Sequence, residues 1–239
     1  MLVMLGFVAG LWTASRRGLL CRVSPQQVWG AGTWLIIGTI IGARTLYVLS
    51  YWREEFAGRP WLDVFKVYEG GLVFYGGFIG CVVATLIFTR VQKIPLWRFA
   101  DVLAPSSSLG YFFGRLGCLM NGCCYGQICD RPWAVHYPSD HRTQGAGVHP
   151  TQIYDALLNL GFYFALEWFF RRKKFDGQVF AVWLMGYATL RSLVESFRGD
   201  YPVRYLGGIF TPAQLLSLAV FAAGAALYLV QRRAASKPA

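Results

Sequence analysis

The sequence is poor in charge, and poorest in negative charge. Asp and Glu number 12 in 239 residues against 23 Lys and Arg, and charged residues make up 15% of the chain. Soluble domains carry about 25%, so a water-facing surface over the whole chain is excluded. The formal charge of +11 does not restore a typical nucleic-acid binder, whose basic charge sits on an otherwise soluble surface. Disorder is excluded as well, since 55% of residues are hydrophobic and 17% aromatic, and disordered chains are poor in both. The sequence has no fixed-period repeat, no low-complexity segment and no C-x-x-C pair. Six cysteines in a chain of this length do not make a disulfide scaffold. No cleavable signal peptide is evident: the apolar stretch Met1–Ala14 has no basic segment before it and runs straight into Arg16 and Arg17.

What is present is apolar length. At about 20 residues per span, the chain has room for roughly seven helices. Polar, Pro and Gly breaks leave candidates at about 1–15, 28–51, 70–89, 95–119, 151–170, 178–197 and 209–230. Such continuous runs argue against a barrel of short alternating strands. Alternate loops are short and basic: Arg16, Arg17 and Arg22; Arg90, Lys93 and Arg98; Arg171, Arg172, Lys173 and Lys174; and Arg232, Arg233 and Lys237 in the tail. The other loops are longer; they hold Arg53, Arg59, Lys66, Arg131, Arg142, Arg198 and Arg204 with most of the acids. Short basic loops stay cytoplasmic. The expected fold is all-α: a polytopic integral membrane protein with about seven transmembrane helices, N-terminus outside and C-terminus cytoplasmic. Residues 1–239 then form a single membrane domain, with a polar outer-face loop at about 120–150. The pairs Gly6/Gly10, Gly38/Gly42, Gly76/Gly80 and Gly110/Gly114 read first as helix-packing faces.

Three arginines fall inside spans: Arg44, Arg115 and Arg191. Each costs about 2.5–3.5 kcal/mol at a helix centre on insertion scales. Asp101, Asp155, Glu167 and Glu195 lie in or near spans too. One reading is ion pairing between helices, with Asp101 and Glu167 snorkelling near the ends; the other is a polar cavity for an anionic group. Tyr187, Arg191 and Glu195 are spaced i, i+4, i+8 and line one helical face. Arg191 offers a planar fork to phosphate, with Glu195 orienting it, or else the two form a self-contained pair. Arg198 follows near the outer end. In Gly114–Gly126 the helix carrying Arg115 dissolves into a Gly-rich turn, where Asn121 and the backbone N–H groups suit an anion nest. Paired glycines flank Tyr75 near the start of the third span. Tyr75, Arg115 and Arg198 all lie toward the outer side, so the expectation is one outward-facing pocket.

Cys118, Cys123, Cys124 and Cys129 form C-x4-C-C-x4-C, a poor match to zinc-site spacing. A disulfide from Cys129 to Cys123 or Cys124 suits an oxidising outer face, and buried or turn-lining thiols are the plainer reading. His136 and His141 read as surface residues. His149, just before the fifth span and sharing a face with Gln152, reads equally as a base, a headgroup contact or a structural histidine.

Four segments together resemble the prolipoprotein diacylglyceryl transferase family: GGLVFYGGFIG (70–80), GRLGCLMNGCCYG (114–126), HPTQIYD (149–155) and GYATLRSLVESFRGD (186–200), with GTIIGAR (38–44) similar to a further segment. The resemblance covers nearly the whole chain in the family's order. It implies an enzyme of the bacterial cytoplasmic (cell inner) membrane with its site toward the periplasmic side and no cofactor or metal. It further implies transfer of the sn-1,2-diacylglyceryl group from phosphatidylglycerol to the lipobox cysteine of a prolipoprotein, giving a thioether and glycerol 1-phosphate. Arg115 matches the signature arginine that binds the lipid, and Arg191 the second essential arginine. Asn121, Gly126, Tyr187 and Glu195 match other site positions; Arg44, His149 and Arg198 complete the expected binding set. Departures are Tyr75 where many members have a histidine, Cys118 for an asparagine, Cys123 for the signature glutamate and Asp155 for a glutamate. The expected catalytic set is Arg191, Glu195 and Tyr75, and nucleic acid is not an expected partner. Two other readings of the residues are a non-catalytic anionic-lipid carrier and a membrane thiol oxidoreductase using Cys123, Cys124 and Cys129.

Overall fold

The computed structural model describes residues 1–58, 60–198 and 211–236. Arg59, Gly199, Asp200, Arg204, Lys237 and the first two residues of the last expected span lie outside the described residues, as does the Glu69 side chain.

Among the described residues there are seven α-helices: α1 (Leu2–Gly18), α2 (Pro25–Ser50), α3 (Phe74–Val91), α4 (Leu96–Met120), α5 (Thr151–Phe170), α6 (Gln178–Glu195) and α7 (Pro212–Ala235). Each coincides with one expected apolar run. Length and composition alone make α2, α3 and α7 able to cross a membrane. Their exposed faces carry large apolar side chains, including Ile37, Ile41 and Leu49 on α2 and Leu216, Leu218 and Val230 on α7. Contiguous apolar surface of that kind is abnormal for a water-soluble monomer, and it marks an all-helical membrane protein. The segment between α4 and α5 adds two short antiparallel strands, β1 (Val135–His136) and β2 (Gly147–Val148), with Val135 opposite Val148 and His136 opposite Gly147.

The chain forms two compact units, Ser15–Phe99 and Met1–Ala14 with Ala100–Ala239. In the first, α2 begins at a capping box. Gln27 N donates to Ser24 Oγ at 3.2 Å, Ser24 N donates to Gln27 Oε1 at 2.9 Å, and Pro25 opens the helix. The glycine pairs of α2 and α3 then meet face to face: a Cβ on Gly80 would stand 2.0 Å from the Gly38 carbonyl oxygen, and one on Gly42 2.3 Å from that of Gly76. For these two pairs the packing reading holds.

In the second unit, Gly6 lies against Phe113 and Gly10 against Ser106. Gly110 and Gly114 differ, since a Cβ on either meets nothing within 4 Å among the described residues; no described helix packs against these two glycines. Asp101 does not snorkel either. It is fully buried, and its carboxylate accepts from Lys173 Nζ at 2.9 Å, Gly177 N at 2.9 Å and Phe180 N at 2.9 Å. The acid thus satisfies orphan N–H groups at the start of α6, where negative charge is favoured. α7 starts like α2, with Thr211 and Gln214 in a capping box and Pro212 in the first turn.

Candidate active site

Contacts between α4 and α6 climb together. Asp101 meets Phe180, Ser108 Oγ accepts from Trp183 Nε1 at 3.1 Å, and the rings of Tyr111 and Tyr187 meet edge to face at 5.7 Å. Rising numbers on both sides mean the two helices run parallel here. Arg115 and Arg191 each stand four residues after this contact, one turn further along their helices.

Both arginines are anchored on one side only. Arg115 Nε forms an ion pair with Asp155 Oδ2 at 2.8 Å, without a hydrogen bond of its own among the described residues, and a terminal nitrogen donates to the Tyr111 hydroxyl, which in turn donates to Asp155 Oδ2 at 3.0 Å. Asn159 Nδ2 donates to Asp155 Oδ1 at 3.1 Å. Arg191 Nη1 is 2.5 Å from Glu195 Oε2. Arg115 therefore keeps Nη1, and Arg191 keeps Nε and Nη2, without a partner among the described residues. The side chains of Arg115 and Arg191 are 13% and 12% exposed, while Asp155 and Glu195 are buried at 3% and 0%. Buried acids beside these largely buried guanidinium groups leave donors free for an anion, a donor set suited to phosphate. Glu195 Oε1 is buried and accepts no hydrogen bond from the described residues, which leaves a carboxylate oxygen for an incoming donor. Along α4, Gly110, Gly114 and Gly117 leave one face bare of side chains.

Tyr187 joins the network through Tyr111 and stacks on Trp183 at 5.8 Å. Asp155 and Tyr111 were not among the residues assigned to the site from sequence. The signal was available for Tyr111, which stands four residues before Arg115 on the same helical face.

In the turn after α4, three of the N–H groups expected to face an anion are engaged within the chain. The N–H groups of Asn121, Gly122 and Cys123 donate to the carbonyls of Gly117, Leu119 and Cys118 at 3.0, 3.1 and 3.1 Å. They close the helix end instead of facing outward, because the last carbonyls of a helix also need donors. The Asn121 side chain is exposed. Gly126, Arg198 and His149 are knitted together by backbone: Gly126 bridges Arg198, and its N–H donates to the His149 carbonyl at 2.9 Å. A Cβ on Gly126 would stand 2.6 Å from the Phe197 carbonyl oxygen, so only glycine fits. Gln127 Nε2 donates to the Arg198 carbonyl at 3.2 Å.

His149 and Gln152 part company. His149 Nδ1 lies 3.1 Å from the Tyr154 hydroxyl, which also accepts from Trp133 Nε1 at 2.7 Å. Together with Leu157, Leu193 and Phe197 they line a groove of about 760 Å³. Gln152 Nε2 turns inward, donating to the Cys123 carbonyl at 2.7 Å and the Tyr137 hydroxyl at 3.0 Å. Burial pushes the Tyr137 phenol above its ordinary pKa, so it stays protonated. His141 is not a plain surface residue, since its Nε2 lies 2.8 Å from the Gly122 carbonyl oxygen. Cys129 is a free thiol rather than a disulfide partner; its N–H donates to the Gly147 carbonyl at 2.9 Å.

Arg44 and Tyr75 belong to the other unit. Arg44 is buried and donates to the carbonyls of Val64 at 2.7 Å, Gly70 at 2.9 Å, Asp63 at 2.9 Å and Gly71 at 3.3 Å. Its guanidinium is engaged with the loop that leads to α3. Gly70 and Gly71 take positive φ there, 90° and 72°, and a Cβ on Gly71 would stand 2.4 Å from the Tyr47 ring. Tyr75 is 66% exposed in the first turn of α3, against Phe74.

The family model described as prolipoprotein diacylglyceryl transferase matches residues 1–230. The chain belongs to the prolipoprotein diacylglyceryl transferase family. Among similar proteins, the phosphatidylglycerol–prolipoprotein diacylglyceryl transferase of Solidesulfovibrio magneticus is 36% identical over 98% of this chain and 89% of its own length. The protein of that name from Geobacter sulfurreducens is 36% identical, covering 98% and 90%, and that from Shewanella oneidensis 36% identical, covering 96% and 85%. The family match spans both units and includes the paired arginines of α4 and α6.

Proposed function

We propose that this chain transfers the sn-1,2-diacylglyceryl group of phosphatidylglycerol to the lipobox cysteine thiol of prolipoproteins, forming a thioether and releasing glycerol 1-phosphate. Family membership supports the reaction. What supports it at the site is that Arg115 and Arg191 each follow the Tyr111–Tyr187 contact by one helical turn, each pair with a buried acid and each keep donors without a partner among the described residues. A phosphodiester bridging the two forks is fixed in place, and the charge that gathers on the departing phosphate meets preorganised donors. The thiolate is the effective nucleophile; it attacks the C3 carbon of the glyceryl group as the bond to phosphate oxygen breaks. The bare face of Gly110, Gly114 and Gly117 offers acyl chains a path beside the headgroup. A lipid carrier would use the same arginines but gives no reason for the family's motifs to occur in order along the chain.

The setting we assign is the bacterial cytoplasmic (cell inner) membrane, crossed about seven times by one integral domain over residues 1–239. The N-terminus is outside, the C-terminus cytoplasmic and the site toward the periplasmic side. The basic short loops support that orientation. Arg44 acts through the loop it holds rather than on the lipid.

Transfer measured in membranes with phosphatidylglycerol and a lipobox peptide tests the reading. Arg115→Ala and Arg191→Ala are each expected to lose at least about 100-fold in rate, the loss seen for one oxyanion-type donor. Full activity of both overturns the clamp. Tyr75→Phe in the same assay decides whether that hydroxyl takes part, and complementation of a bacterium depleted of its own transferase decides the activity as a whole.

A further inference from the structure

Three of the six cysteines meet where α4 ends. The Sγ atoms of Cys118, Cys123 and Cys124 lie within 4.8 Å of one another, and all are free thiols. Cys118 sits in the last turn of α4. Gly122 and Cys124 then take positive φ, 66° and 63°, folding the chain back toward the helix end. Left-handed backbone is unfavourable for a residue with a Cβ, so contacts outside the turn must hold Cys124 there. Thr151 Oγ1 donates to the Cys124 carbonyl at 2.7 Å, Gln152 Nε2 to the Cys123 carbonyl at 2.7 Å, and His141 Nε2 lies 2.8 Å from that of Gly122. Thr151 and Gln152 are themselves buried. The thiols converge because three other side chains fix the turn, with no sulfur–sulfur bond required.

A disulfide would join two of these sulfurs and leave the third over; a cation uses all three. Thiolates are soft ligands that select zinc and copper(I) over hard ions. Tetrahedral zinc about 2.3 Å from each sulfur sets the sulfurs roughly 3.8 Å apart, a short closure from their present spacing. Three protein ligands leave the fourth tetrahedral position open, the arrangement of catalytic rather than structural zinc. A divalent cation on three thiolates is a net anion, and the Arg115 guanidinium lies within electrostatic reach of Cys118 and Cys124.

We propose that Cys118, Cys123 and Cys124 bind one soft divalent cation of the zinc type through three thiolates, and that its open fourth position takes the thiol of the acceptor cysteine. The second half rests on the proposed transferase function, and the first does not. Coordination removes the proton from a thiol outright, which supplies the nucleophile without a dedicated base. The sulfur lone pair forms the bond to the glyceryl C3 carbon as the carbon–oxygen bond to phosphate breaks. The departing glycerol phosphate keeps that electron pair and takes up the released proton, so nothing is oxidised or reduced. The neutral thioether is a weaker ligand than the thiolate and leaves the metal.

The test uses the full chain, reduced and purified in detergent with phosphatidylglycerol. Zinc content is measured directly, and cobalt(II) is used as a spectroscopic probe. The expected result is one metal per chain with sulfur-to-cobalt charge transfer. The simultaneous change Cys118→Ser, Cys123→Ser and Cys124→Ser abolishes it, and Cys129→Ser leaves it intact. A lipobox peptide is expected to increase the charge transfer, and the same peptide with serine for cysteine is not. Substoichiometric zinc in the reduced protein, or equal zinc in the triple variant, overturns the site. So does a disulfide among these cysteines that persists in native membranes. An unchanged cobalt spectrum on adding peptide overturns the open position. Transfer measured on the same samples separates the two readings: a wild type that transfers without metal sinks only the metal site, and one that binds metal without transferring sinks only the transferase.

Discussion

At the scale of single residues, the acids behind the two arginines decide what the arginines can do. Asp155 forms the ion pair with Arg115 Nε and accepts hydrogen bonds from the Tyr111 hydroxyl and Asn159 Nδ2 on one carboxylate. Asp155→Asn keeps the shape and removes the charge, leaving Arg115 without its counter-ion. Hydrogen bonds to charged groups are worth about 1.5–3 kcal/mol, so transfer is expected to fall about 10- to 100-fold. Asp155→Glu, the residue the family resemblance leads one to expect, restores the carboxylate and is expected to recover most of the rate. Equal rates for the asparagine variant and the wild type would show that Arg115 needs no counter-ion. Gly126→Ala acts differently: its Cβ would stand 2.6 Å from the Phe197 carbonyl oxygen and 2.7 Å from His149 Cβ. Overpacking of this kind costs about 1–3 kcal/mol, which thermal unfolding in detergent reads as a lowered midpoint. Arg115, Arg191 and Glu195 were legible in the sequence because ionisable groups inside apolar runs stand out against the cost of burying them. What the N–H groups around Asn121 do was not, because a Gly-rich turn looks the same whether its N–H groups face outward or close the helix behind them.

At the scale of helices, the four glycine pairs look alike in sequence and differ in space. Gly38 and Gly42 meet Gly76 and Gly80 backbone to backbone, whereas Gly110 and Gly114 meet nothing within 4 Å among the described residues. Period alone reports that a face is smooth, not whether another helix covers it. The two kinds are expected to respond oppositely to a large side chain. Gly80→Leu forces α2 and α3 apart and lowers the unfolding midpoint. Gly114→Leu leaves stability near wild type, since leucine also has the better helix propensity, yet fills the bare face and raises KM for phosphatidylglycerol. A Gly114→Leu protein with unchanged KM would remove that face from lipid binding. The helix positions themselves were legible almost throughout, since each apolar run coincides with one α-helix. Asp101 was misread because proximity to a span end says nothing about the N–H groups of Gly177 and Phe180 and the Lys173 ammonium, which come from far along the chain.

At the scale of the whole molecule, the proposed orientation rests on charge. The loop after α5 carries Arg171, Arg172, Lys173 and Lys174, and the end of α7 carries Arg232 and Arg233, against few acids nearby. One of these cations also has a structural task, because Lys173 pairs with Asp101 at 2.9 Å and Asp176 at 3.1 Å. Orientation and packing can therefore be separated by mutation. Neutralising Arg171, Arg172 and Lys174 together removes basic charge while leaving the Lys173–Asp101 pair in place. The proposed orientation puts a tag after Ala239 in the cytoplasm and a protease site in the loop at 139–146 outside. External protease on intact spheroplasts is expected to cut the loop site and spare the tag. In the neutralised protein a measurable share of molecules is expected to reverse that pattern, since basic residues near span ends set which loops stay inside. Cleavage of the tag but not of the loop in the unaltered protein would invert the molecule, and would put Arg115 and Arg191 nearer the cytoplasmic leaflet than the compartment where exported acceptors emerge.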